Sequence, residues 1–124
     1  MIDRLEFFEL RPQARAPDMS ELINVVVRRL QERDTRVVVI DSFKAIADVA
    51  ANRAEVRGFL GELSRQLIAA DCVGLLVGEY RLPEDLDLPE FAMADVVLYL
   101  DVETQPGSDV RTLRIYKFRG GPYV

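Results

Sequence analysis

The chain has no histidine, no tryptophan, one cysteine and two lysines in 124 residues. Without histidine there is no Ser-His or Cys-His nucleophile pair, and a zinc site would have to be assembled from carboxylates and a single thiol. Hydrolase-triad and zinc chemistry fall away. Cys72 alone cannot form an internal disulfide, so nothing points to an oxidising compartment. The lysines, Lys44 and Lys117, follow no glycine, so none of the seven glycines opens the phosphate cradle G-x-x-x-x-G-K-[ST]. No apolar run approaches the ~20 residues that cross a membrane, and no charged-then-apolar leader opens the chain. A cytoplasmic protein with no membrane partner is expected.

What is present fits a folded soluble protein: 49% of residues are hydrophobic and 30% charged. One domain over residues 1–124 is expected, large enough to bury roughly two-thirds of its unfolded surface. The net charge of −5 argues against nucleic acid as a partner, because such binders neutralise phosphates with Lys and Arg. The charge is unevenly spread. Between Glu79 and Asp95 six acids face one base, Arg81, whereas Arg111 to Arg119 holds four bases and no acid.

The patterning predicts alternating strands and helices. "RLEFFEL" (Arg4 to Leu10) reads as a strand, and Pro12 and Pro17 bound the loop after it. Asp18 and Glu21 have capping-box spacing. Met19, Leu22, Ile23, Val26, Val27 and Leu30 then form one apolar stripe on a helix of about Met19 to Glu32. Val37 to Ile40 is apolar on both faces, as a parallel strand covered by helices requires. "SFKAIADVAANR" is a less regular connection with room for a short helix. Val56, Phe59, Leu60, Leu63, Leu67 and Ile68 mark a second helix from Arg53 to about Ala70, followed by a strand from Val73 to Val77. "RLPEDLDLPEF" reads as an exposed acidic loop. "ADVVLYLDVE" and "VRTLRIYKF", joined by "TQPGSD", suggest a terminal antiparallel hairpin. The expected fold class is a layered α/β sheet with a mainly parallel core, an antiparallel hairpin at its C-terminal end and helices on both faces.

"RVVVIDS" places Asp41 and Ser42 at the carboxyl end of a core strand, where open α/β sheets bind ligands. Four apolar residues followed by Asp is the Walker B pattern, whose carboxylate holds a magnesium ion, usually through its water, while the ion bridges nucleotide phosphates. An aspartate there equally caps the following loop, because it readily accepts backbone hydrogen bonds. Lys117 and Arg119, two apart on a strand, share a face, and Leu113 and Ile115 are expected on it too. Such a cluster serves either a bound anion or simply a charged edge that limits aggregation.

In this order, "RVVVIDSFKAI", "EVRGFLGELSRQLIAADCVGLLVGEY", "PEFAMADVVLYL" and "VRTLRIYKFRG" closely resemble the KaiC family of RecA-superfamily ATPases, from roughly Arg4 to Tyr123. The resemblance is most specific in "GEY", "ADVVLYL" and "RTLRIYKFRG". It implies a RecA-like (P-loop NTPase-type) core binding ATP and Mg2+ between neighbouring subunits of a homo-oligomeric ring, commonly a hexamer. In that pattern Asp41 corresponds to the Walker B acid, with Ser42 beside it. Lys117 and Arg119 match the K-x-R-G segment, which contacts the γ-phosphate in the next subunit's site, and Glu79 falls at a phosphate-sensing or coupling position. The family's Walker A and paired catalytic glutamates lie N-terminal to all four of these segments, and Glu6 and Glu9 are not promoted to that role.

The resemblance therefore implies the C-terminal part of an ATPase core without its P-loop, either an excised piece or a natural member that lost its nucleotide-binding half. The complete protein would hydrolyse ATP or transfer its γ-phosphate; this stretch alone is expected to be inactive and to bind neither Mg2+ nor ATP tightly. Two alternatives stay open. One is a non-catalytic RecA-like assembly or signalling module joined head to tail through its acidic and basic segments. The other is the DNA recombinase or helicase branch, against which stand "GEY" and the acidic loop.

Overall fold

A computed structural model describes residues 19–32 and 34–119, without the side chain of Phe118. The expected strand from Arg4 to Leu10, Asp18 of the capping box and Gly120 of the K-x-R-G segment lie outside them. Contacts divide the chain into two units, with the boundary between Tyr80 and Arg81.

The first unit runs α1 (Met19–Glu32), β1 (Val37–Asp41), α2 (Phe43–Asp48), α3 (Arg53–Ala69) and β2 (Val73–Val77). Helix α1 buries Met19, Leu22, Val26 and Leu30, one stripe at helical spacing, and α3 does the same with Val56, Phe59, Leu60 and Leu63. A reciprocal cap starts α3: the Asn52 side chain accepts from the Glu55 N–H at 2.9 Å, and the Glu55 carboxylate accepts from the Ala51 N–H at 3.0 Å. A Schellman turn ends it, with the Cys72 N–H donating to Leu67 O at 2.9 Å, the Asp71 N–H to Ile68 O at 3.1 Å, and Asp71 in the left-handed region at φ 51°. The chain thereby turns straight into β2, whose Val73 N–H reaches Arg36 O at 2.9 Å.

Strands β1 and β2 pair in parallel, Val37 opposite Val73 through Asp41 opposite Val77. Val38, Ile40 and Leu76 face the core with α1, α3 and the fully buried Phe43, whose ring stacks on Phe59 at 5.8 Å. The expected burial of both strand faces is met on one face only. Val37, Val39, Val73, Leu75 and Val77 remain 43–59% exposed, because the helices of this unit gather on the other side.

The second unit holds a 3-10 turn (Glu84–Asp87), α4 (Pro89–Met93), β3 (Val96–Gln105) and β4 (Ser108–Phe118). The acidic segment is thus not plain loop: the Asp85 side chain accepts from the Arg81 N–H at 2.7 Å, and Pro89 starts α4, where its missing N–H costs nothing. Strands β3 and β4 form the expected antiparallel hairpin about Pro106 and Gly107, the latter at φ 86°, a conformation a side chain would strain. Pairing shifts by one residue between Val97 and Leu98, leaving Tyr116 as an extra residue in β4. The molecule is a mixed α/β protein with a parallel sheet, a terminal antiparallel hairpin and helices.

Candidate functional site

Because β1 and β2 are parallel and in register, their carboxyl ends open side by side. There a pocket of about 470 Å³ is lined by Asp41, Ser42, Lys44, Ala45, Asp48, Val77, Gly78 and Glu79. Asp41, Ser42 and Glu79 of the sequence reading are brought together. Asp41 and Glu79 are exposed, and Ser42 is half-buried.

Each side chain has an identifiable local origin. Ser42 is the N-cap of α2: its hydroxyl accepts from the Ala45 N–H at 3.3 Å, which leaves the hydroxyl proton to donate into the pocket. Helix α2 then places Lys44 and Asp48 one turn apart, with Nζ 2.8 and 3.1 Å from the two carboxylate oxygens. The Lys44 ammonium also lies 5.9 Å from the centre of the Tyr80 ring. Gly78 makes this packing possible, since a Cβ there would fall 2.7 Å from the Tyr80 ring and 2.8 Å from Lys44 Cβ. The sequence reading missed Lys44 and Asp48. The signal was their i, i+4 spacing directly after Ser42, a helix-start residue.

The lining sets three carboxylates against one ammonium. That balance repels a bare anion and suits a cation or a metal–phosphate complex. Among the described residues no three His, Cys, Asp or Glu side chains lie close enough to cage a metal ion. One exposed carboxylate beside a hydroxyl fits magnesium held from one side through its water, the manner in which this ion accompanies phosphates.

The basic pair sits in the second unit. Lys117 Nζ donates to the carbonyls of Phe91 at 3.1 Å and Ala92 at 2.8 Å. The Arg119 guanidinium reaches Ala92 O at 3.4 Å and lies 3.8 Å from the Asp95 carboxylate. One expectation is corrected here. Lys117 pairs with Val97 and Ile115 with Leu98, successive β3 residues that point to opposite faces, so the extra Tyr116 puts Lys117 on the face away from Leu113 and Ile115.

A parallel βαβ core with a pocket outside its strand carboxyl ends has the place where open α/β sheets bind ligands. The family model "ATPase: KaiC" matches residues 1–123, and the chain belongs to that family. Among solved structures, the KaiC-like protein of the hyperthermophilic archaeon Pyrococcus horikoshii OT3 shares the fold at TM-score 0.67 and 23% identity, covering 86% of this chain and 47% of its own. The chain thus spans about half the length of that relative. No curated protein matches it.

Proposed function

We propose that the chain is a single partial ATPase core domain, the half that supplies the magnesium acid and the trans-acting bases while the phosphate cradle comes from outside this stretch. The observation that carries this reading is the strand-end pocket joining Asp41, Ser42 and Glu79 in a member of the KaiC family. Asp41 and Ser42 would hold Mg2+ through its water, and the ion would neutralise charge on the ATP phosphates. Glu79, one strand over, is placed to register whether that position is filled. Lys117 and Arg119 act on the neighbouring subunit's γ-phosphate in a ring, six subunits being the family's common number, and the product is phosphate or a phosphorylated hydroxyl. A cation delivered in trans contributes ~10³ to 10⁵ to phosphoryl transfer, about 4 to 7 kcal/mol of barrier. We place the protein in the cytoplasm.

Calorimetric titration of this chain with Mg-ATP tests the division of labour. No saturable binding is expected in the micromolar range, because the lining is net acidic and offers no cradle. A micromolar dissociation constant would contradict the reading.

A further inference from the structure

We propose that α4 is the positioning element for Lys117, two carbonyls of its final turn holding the ammonium as a fixed cation with one proton left for a phosphate oxygen. The inference rests on the reading of Lys117 as a phosphate contact and deepens it. An ammonium has three N–H donors. Two are taken by Phe91 O and Ala92 O, at 3.1 and 2.8 Å, near the C-terminal end of a helix that closes with the Ala94 N–H on Glu90 O at 3.0 Å. Helix C-termini carry partial negative charge and favour such a cation. Carbonyl partners differ from a carboxylate in a way that matters: they orient the ammonium without cancelling its charge. Arg119 shares the Ala92 carbonyl but also stands 3.8 Å from Asp95, so its charge is partly countered. Lys117 is accordingly the primary phosphate contact of the pair.

Helix α4 is itself anchored. Pro89 and Glu90 are buried, and the Arg119 N–H donates to Asp95 O at 2.8 Å, tying the end of β4 to the residue just past the helix C-cap. The bulge at Tyr116 completes the device by turning Lys117 away from the Leu113 and Ile115 face. Without that extra residue strict alternation would send its side chain the other way.

The sparse lysine content makes the test direct. With lysine labelled at Cε and Nζ, inorganic triphosphate is titrated into the chain and the two lysine side-chain signals are followed by NMR. In the unaltered chain, where Lys117 meets triphosphate without the neighbouring subunit's cradle, its signal is expected to move only in the millimolar range, above that of the Mg-ATP titration, while Lys44, paired with Asp48, stays. Met93→Pro unwinds the last turn of α4 and re-aims both carbonyls, and should weaken the triphosphate response of Lys117 by at least about fivefold with the hairpin signals of Tyr99 and Tyr116 unchanged. Where that variant does not fold, Ala92→Gly loosens the same turn and should weaken the response in the same direction. A Lys117 response that equals the unaltered chain's in a folded variant overturns the positioning role. A Lys117 signal indifferent to triphosphate in the unaltered chain overturns instead the reading of Lys117 as a phosphate contact, and the positioning role with it.

Discussion

At the scale of single residues, the pocket depends on one absent side chain and several charged ones. Gly78 admits both the Tyr80 ring and the Lys44 stem, so Gly78→Ala should cost about 1–3 kcal/mol through overpacking, read as a lower urea midpoint at unchanged slope. Outside the pocket, a hydrogen bond from Gln66, aided by the Arg65 guanidinium, holds the Glu62 carboxyl below its usual 4.5. A depressed folded value means the ionised form is favoured in the native state. Its contribution is present above the unfolded-state value and lost as pH falls through the folded one. Stability measured from pH 6 down to about 3 should therefore fall less steeply in Glu62→Gln than in the parent chain. That Asp41 and Ser42 sit together at the end of a core strand was legible from four apolar residues and an acid. Lys44 and Asp48 were not, because a six-residue helix has too few turns for an apolar stripe to announce it.

Elements follow the same logic of length. Helices α1 and α3 run 14 and 17 residues, enough for apolar spacing to mark their faces, and their observed bounds agree with the sequence reading within a residue. Helix α4 has five residues and begins inside a segment, Arg81 to Phe91, whose prolines and acids read as loop. The bulge in β4 was invisible for another reason: one extra residue in a strand leaves local composition unchanged, and only the register of the partner strand reveals it. The Schellman turn after α3 offers a test at this scale. Asp71 adopts φ 51° at the position where glycine is preferred, so Asp71→Gly should raise stability by about 0.5–1 kcal/mol, measured by denaturant unfolding. A loss of stability would show that the Asp71 side chain contributes more than its backbone strain costs.

At the scale of the whole molecule, the exposed apolar surface carries the argument. One face of the β1–β2 pair is open, and Leu98, Leu100, Val102, Leu113 and Ile115 of the hairpin are 55–76% exposed. Contiguous apolar patches of that kind mark interaction surfaces or ligand grooves rather than ordinary solvent-facing surface. The alternating pattern made each strand legible. Which faces other parts of the protein cover is a long-range property that no local pattern encodes. The central claim, that the magnesium acid and the basic pair of one site belong to different subunits, is tested most directly by mixing two inactive variants of the protein that carries the complete core. Asp41→Asn and Lys117→Met subunits should each turn over ATP poorly alone. Mixed in equal amounts, they should regain activity at about one quarter of interfaces, those where random pairing sets an intact Asp41 against an intact Lys117. A mixture no more active than its components would contradict the account.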